Sequence, residues 1–238
     1  MTKAISIGVA FILGVGAGWI VQGRHWDTFL TSYIPALATL LAAFYGAKYA
    51  FQFQNDKELN EIKRRNLEHV NSVIFDLMRM ANALFVYKRD FINPIKNSPN
   101  YFIELRPSQP LEKLVHLKIE GLYFLLETEH RNLVGEIIAE EEKYRSAIDS
   151  INARSKFHLE EFQPALEKYV LSNHHTVDSI RALVGDRIYV SLKNSSDTII
   201  DQVDDYTISI ENIGNKLTQC IKQIYPNDVI ISFKLPRE

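Results

Sequence analysis

Two apolar segments without charged residues lie within the first fifty residues of this chain. They cover residues 4–21 and 29–47, and a short polar turn separates them. A helix rises about 1.5 Å per residue, so each segment would cover roughly 27 Å, which is near the thickness of the hydrocarbon core of a bilayer. The pattern predicts a transmembrane hairpin in residues 1–51 and a separate domain in residues 52–238.

Each segment has an alternative interpretation. Lys3, followed by an apolar stretch that reaches small residues, is typical of a cleaved signal peptide, but the apolar run continues through Val21. A second apolar segment after so short a turn also favours the hairpin. The second segment alone would fit a buried core helix, although its length and lack of charge favour a membrane span.

Basic residues are concentrated at the two ends of the predicted hairpin. The turn between the segments contains Arg24 and Asp27, whereas Lys3 precedes the first segment and several basic residues follow the second. The positive-inside rule therefore predicts a multi-pass protein with both termini in the cytoplasm. The juxtamembrane basic residues are Lys48, Lys57, Lys63, Arg64 and Arg65.

Small residues recur every four positions in both apolar segments. This spacing places them along one face of each helix and lets two helices approach closely in lipid. We expect them to pack the hairpin or to support self-association, with Pro35 as a possible kink. Neither segment has an ionisable residue at its centre, which argues against a transporter or a proton pump. The small residues are Ser6, Ala10, Gly14 and Gly18, and then Ala38, Ala42, Gly46 and Ala50.

The rest of the chain predicts a bundle of helices, and the fold class is therefore all-α. From residue 52 to residue 92 apolar residues recur at steps of three or four, so the second span and the first bundle helix should form one long helix. The last apolar stretch, residues 229–235, predicts a short strand or an extended segment docked on the bundle. Further helices are predicted over residues 108–126, 130–154, 157–172 and 174–192, and from a cap at residues 194–197 to Ile224.

Charge and motif content argue against several functions. The chain has a net charge of −2, and because residues 1–50 carry +2 the remainder carries −4, which is unfavourable for binding nucleic acid directly. The sequence has no glycine-rich phosphate loop, HExxH, paired Cys-x-x-Cys or nucleophile elbow. A single cysteine, Cys220, excludes an intrachain disulfide and agrees with a reducing compartment. We expect no enzymatic activity, no cofactor and no metal.

Two histidine-containing segments have a chemical alternative. Residues 64–69, RRNLEH, are similar to the Arg-Asn-x-x-x-His pattern of HEPN-type ribonucleases but one residue short of it. Helical spacing brings Arg65 and His69 to one face, where they would serve as phosphate ligand and general base, but a solvated charged face fits equally well. His174 and His175, near His158 and Asp178, suggest a metal site; neighbours on a helix point about 100° apart, however, and do not converge.

Acidic residues form two predicted helix faces. Ordinary solvated surface is the preferred interpretation, and the alternative is a docking site for a basic partner. An internal clasp between these faces and residues 63–65 would hold the membrane hairpin in an inactive arrangement. The faces contain Glu136, Glu140, Glu141 and Glu142, and Asp201, Asp204 and Asp205.

A two-span hairpin, the run AFYGAKYAFQFQNDKELNEIKRRN leading into a long helix, and a helical domain without catalytic motifs occur together in this chain. This layout resembles the two-transmembrane effector proteins of bacterial anti-phage systems, especially those encoded beside retron reverse transcriptases. The resemblance implies an inner-membrane protein that permeabilises or depolarises the membrane in abortive infection. It also implies a restraining partner, either a reverse transcriptase with its RNA and DNA or another protein regulator.

Two other functions remain open. The first is a membrane-anchored scaffold or sensor that recruits a cytoplasmic partner without opening the lipid bilayer. The more remote one is a membrane-tethered HEPN-like ribonuclease.

Overall fold

A computed structural model of the protein describes residues 34–112, 115–167 and 177–235, without the side chains of residues 177–179. The predicted first span and the first five residues of the second lie outside this range. The described residues contain helices and no strand, so the predicted all-α class is confirmed. The α-helices are α1 (Ile34–Tyr87), α2 (Tyr101–Glu104), α3 (Asn132–Phe157), α4 (Gln163–Glu167), α5 (Val177–Val184) and α6 (Asp186–Ile224).

Three irregular helical segments complete this order. A 3₁₀-helix covers Ile119–Glu127 between α2 and α3. A π-helical turn, Lys88–Ile92, follows α1 directly, and a second one, His158–Phe162, follows α3. The chain divides into two compact units, Met1–Lys63 and Arg64–Glu238. Since α1 is unbroken from Ile34 to Tyr87, the expectation of one long helix is confirmed.

The core of the second unit forms around α1, α3 and α6. Apolar residues at steps of three or four on each helix are buried, because this spacing places them on one face. The predicted stripes of α1 and α3 are confirmed over the bundle. In contrast, Leu59 and Ile62, which continue the α1 stripe towards the N-terminus, are exposed. The confirmed residues are Val70, Val73, Leu77, Met80 and Leu84 on α1, and Leu133, Ile137, Tyr144 and Ile148 on α3.

The predicted helix over residues 108–126 is wrong for its first half. The described residues from 106 to 118 have no regular secondary structure, and only the second half is helical, as the 3₁₀-helix. Asn152 of α3 holds this segment: its amide accepts a hydrogen bond from the Leu111 N–H (2.8 Å) and donates one to the Leu111 carbonyl (2.9 Å). These bonds satisfy backbone groups that would otherwise need a helix.

The predicted helix start at residues 194–197 is also wrong, because α6 runs through it. The Ser196 hydroxyl donates to the Leu192 carbonyl (2.8 Å), one turn back, so it bonds inside the helix and does not cap it. The break lies earlier, at Gly185, whose φ of 83° is in the region that favours glycine. The predicted helix 174–192 is therefore divided, from residue 177 on, between α5 and α6. The predicted helix 157–172 is helical from 157 to 167, as the end of α3, a π-helical turn and α4, and its last five residues lie outside the described residues.

The C-terminal apolar stretch, residues 229–235, docks on the bundle and forms no strand. Phe233 is buried, and its ring lies so close to Gly214 of α6 that an added Cβ atom would stand 2.2 Å from it. The Ile231 N–H donates a hydrogen bond to the Asn71 side chain of α1 (3.1 Å). The predicted docking on the bundle is therefore confirmed, and the alternative of a strand is wrong.

Candidate functional site

The N-terminal part of α1 is long and apolar enough to cross a membrane, the one such helix among the described residues. None of its apolar window is buried within the protein. Tyr45 and Tyr49 stack with ring centroids 6.4 Å apart at its C-terminal end, followed by the exposed rings of Phe51 and Phe53. Aromatic side chains of this kind are enriched where a span meets the headgroups. These features fit the described part of the second predicted span.

The small-residue ridge of α1 consists of Ala38, Ala42, Gly46 and Ala50, all of which are exposed. An added Cβ atom at Gly46 would meet nothing within 4 Å. Leu37 and Phe44 are half-buried and lie on the opposite face of the helix. The matching ridge of the first segment, Ser6, Ala10, Gly14 and Gly18, lies outside the described residues.

The interpretation of the first acidic face as solvated surface is wrong for two of its residues. Glu140 and Glu141 of α3 are each 5% exposed. Glu140 accepts hydrogen bonds from Lys143 (2.7 Å) and from the Ser209 hydroxyl of α6 (2.7 Å). Glu141 forms an ion pair with Arg145, one helical turn later on α3. Glu140 therefore links α3 to α6, and Glu141 bonds within α3 and to His116 (2.8 Å).

The acidic residues also have partners other than the juxtamembrane basic residues. Glu136 pairs with Lys216 of α6, and Asp204 pairs with Lys88 (2.8 Å). Arg64 pairs with Glu68 (3.6 Å) on α1 itself. These contacts give Glu136, Asp204 and Arg64 partners outside the internal clasp, which stays a hypothesis.

The residues of the HEPN-like pattern lie on α1 at the start of the second unit. Arg65 and His69 are exposed and lie one helical turn apart. The His69 ring packs on Gly121 of the 3₁₀-helix, where an added Cβ atom would stand 2.5 Å from it. Asn66 makes a contact within the fold, since its side-chain amide donates a hydrogen bond to the Tyr225 hydroxyl (3.2 Å). The ring of His69 therefore has a packing role.

The described residues do not form the metal site that the histidines suggested. His174 and His175 lie outside the described residues, and His158 is buried at the end of α3. The described residues contain no group of three or more histidine, cysteine or carboxylate side chains suited to a metal. Burial and the charge of Glu129 raise the pKa of the Cys220 thiol to about 11, so this thiol is protonated at neutral pH.

A buried arginine connects α3 to α2 and α6. Arg154 of α3 is 1% exposed. Its Nη2 donates to the Phe102 carbonyl (2.9 Å) and its Nε to the Ser196 hydroxyl oxygen (3.3 Å), while Nη1 has no hydrogen-bond partner. No carboxylate among the described residues forms an ion pair with it. Burial lowers the pKa of Arg154 to about 10, so the guanidinium remains charged at neutral pH.

Two further buried polar side chains lie within electrostatic range of Arg154. Tyr87 is 2% exposed, stacks on Phe91 at 4.9 Å, and has an unpaired hydroxyl; burial raises its pKa to about 12. His158 stacks on Phe162 at 5.1 Å, and its Nδ1 is unpaired. Burial and the charge of Arg154 lower the pKa of His158 to about 4, so its ring is neutral. Tyr87, Arg154 and His158 are called the buried polar cluster below.

The buried polar cluster is not among the sites predicted from the sequence, although the sequence contains a signal for it. Ile148, Ile151, Arg154 and His158 follow each other at steps of three and four, so the two polar residues occupy positions of an apolar stripe. Polar residues at such positions point into the core and need partners there.

No match was found for the chain among protein family models, curated proteins or solved structures.

Proposed function

We propose that the protein is a membrane-embedded effector that permeabilises or depolarises the bacterial inner membrane in abortive-infection defence against phage. The observation that carries this proposal is α1, in which an exposed, uncharged apolar segment precedes residues that form the bundle core. One helix therefore contributes to both units. A change in the bundle has a direct covalent route to the membrane segment.

The membrane part in this proposal is a hairpin of residues 4–21 and 29–47, with both termini in the cytoplasm. The ridge of small residues on α1 supports assembly of several copies, because the space beside Gly46 is open. Close packing of helix backbones at such ridges provides attraction where lipid provides no hydrophobic driving force. Several hairpins packed in this way would disturb the bilayer.

The bundle in this proposal is the regulatory part. A partner, either a reverse transcriptase with its RNA and DNA or another protein, binds the cytoplasmic helices and restrains the hairpins. No catalytic residue, cofactor or metal takes part. The juxtamembrane basic residues contact anionic headgroups, where each lysine or arginine contributes about 1 kcal/mol of attraction.

Membrane potential and dye entry during induced expression in bacteria test the proposal. The full chain should depolarise the cells rapidly, and a chain lacking residues 1–50 should not. The double variant Ala42→Leu, Gly46→Leu should abolish depolarisation, since bulk on the ridge separates the helices. Its matched control is Ala43→Leu, Ala47→Leu, which adds nearly the same bulk about 100° around the helix and should remain active. Equal activity of both double variants would refute packing through the ridge.

One observation favours a second function, a membrane-anchored scaffold that never opens the bilayer. The Thr39 hydroxyl, in the apolar part of α1, donates to the Pro35 carbonyl (2.8 Å) and is therefore satisfied within the helix. A hydroxyl bonded in this way offers little to a water-filled pore. Exchange of residues 1–50 for an unrelated hairpin separates the two functions: a scaffold keeps its activity after the exchange, whereas a permeabilising effector loses it.

A further inference from the structure

We infer that the buried polar cluster of Tyr87, Arg154 and His158 binds a small oxyanion of the phosphate or carboxylate class inside the helical bundle. The inference rests on three unpaired polar atoms in the core, and it does not depend on the proposed membrane function. It adds a ligand site to a domain in which sequence motifs indicate none.

The charge of Arg154 is the first argument. A buried cation costs several kcal/mol unless an anion accompanies it. The two hydrogen bonds of Arg154 go to neutral oxygens, the Phe102 carbonyl and the Ser196 hydroxyl, and neither carries a compensating charge. The side chain is thus held in place by its Nε and Nη2 atoms and presents Nη1 without a partner. A bound anion supplies the missing negative charge.

The hydrogen-bonding character of the cluster is the second argument. The three unpaired atoms are Nη1 of Arg154, the hydroxyl of Tyr87 and Nδ1 of His158. The first two are donors, and a neutral imidazole donates from Nδ1 in one of its two tautomers. All three groups can therefore donate at the same time, and a ligand that only accepts, such as an oxyanion, pairs with all of them. An amide or an alcohol brings donor hydrogens of its own and leaves the charge uncompensated.

The local helix geometry is the third argument. Tyr87 is the last residue of α1 before one π-helical turn, and His158 is the first residue of the other. Arg154 lies one turn before His158 on α3, so these two side chains share a face. Such turns are rare and occur often at functional sites, and here two different helices depart from α-geometry at the same cluster.

Burial limits the size of the ligand. Tyr87 and Arg154 are 2% and 1% exposed. A ligand among them is therefore an ion of about the size of phosphate or acetate, without a nucleoside or a lipid attached. Its entry requires a transient opening of the bundle.

Calorimetric titration and thermal unfolding of the full chain in detergent test this inference. Inorganic phosphate and acetate are the two probes, with sodium chloride at equal ionic strength as the reference. At saturation the bound anion should raise Tm by about 5 °C, as expected for a ligand that binds only the folded state. AMP, which carries the same phosphate on a nucleoside, should give no shift.

Three variants assign the effect to the cluster. Arg154→Met should abolish the anion-dependent rise in Tm. Tyr87→Phe keeps the ring that stacks on Phe91 and should weaken binding about tenfold by removing one hydrogen bond. The matched control is Arg187→Met, which removes an exposed arginine that pairs with Glu161 of the second π-helical turn. It should bind like the wild type.

Several results would overturn the inference. They are the absence of any phosphate or acetate shift in the wild type, an equal shift in Arg154→Met, or a shift with AMP of the same size as with phosphate. If Arg154→Met does not fold, Tyr87→Phe decides the question: unchanged affinity of that variant for both anions refutes the site.

Discussion

Replacement of His158 by phenylalanine should protect the fold against acid. His158 is 6% exposed, and its pKa in the folded protein is about 4, against an ordinary value of 6.5, because burial and the neighbouring charge of Arg154 disfavour the imidazolium. Phenylalanine has a similar shape and can keep the stacking on Phe162. It removes the titrating group without opening a cavity.

The sign and size of the effect follow from linkage. Between pH 6.5 and pH 4 the unfolded chain binds a proton at His158 that the folded chain does not, so stability falls as the pH falls through this window. Integrated from about pH 7.5 to about pH 4.5, the loss is about 2.5 kcal/mol. For a chain of this length that corresponds to a decrease in Tm of about 5–10 °C.

The measurement is the thermal unfolding of the full chain in detergent at both pH values, followed by circular dichroism. Other groups titrate over the same range, so the informative quantity is the difference between wild type and variant. His158→Phe should lose about 2.5 kcal/mol less than the wild type on acidification. Leu159→Phe, which adds a ring at an exposed neighbour, is the control and should match the wild type. If His158→Phe and the wild type respond equally to acid, the imidazole is not held neutral by burial and by Arg154.

Three further substitutions test the packing of the bundle. Gly214→Val should cost about 1–3 kcal/mol, because the new side chain displaces Phe233, and limited proteolysis should then cleave the C-terminal segment faster. Gly185→Ala should cost about 1–3 kcal/mol, since its φ of 83° and ψ of 154° belong to a region that is nearly exclusive to glycine; thermal unfolding measures this loss. Asn152→Ala should cost a similar amount, about 1–3 kcal/mol, by leaving the backbone of Leu111 unpaired, and hydrogen exchange should accelerate at Leu111 with little change in α6.

Periodicity predicted the helices well because it reports which face of a segment is apolar. The stripe from Val70 to Leu84 is buried as expected. The same period continues through Leu59 and Ile62, which are 56% and 47% exposed. The period identifies a face, whereas burial depends on whether another helix covers it. That information lies in residues distant along the chain, so the sequence of α1 alone does not contain it.

Local signals failed where a side chain had two possible partners. Residues 194–197 form a typical cap sequence, yet the hydroxyls of Ser195 and Ser196 donate to carbonyls inside α6. A serine bonds equally well to an N–H at a helix start or to a carbonyl one turn back, and the surrounding packing decides which bond forms. At Gly185, in contrast, a helix break does occur between α5 and α6, because glycine can adopt the positive φ that this break requires.

Polar residues on an apolar stripe are the signal that links the sequence to the buried sites of this protein. Glu140, Glu141 and Arg154 occupy such positions on α3, and His158 continues the stripe in the π-helical turn that follows; all four are buried. The two glutamates have basic partners, so their burial is explained by α3 itself and by α6. Arg154 and His158 have no carboxylate partner among the described residues, and each keeps an unpaired nitrogen, whereas the one unpaired atom of Glu140 is its second carboxylate oxygen. The buried charge of Arg154 therefore carries a cost that packing alone does not explain, and a bound anion would offset it.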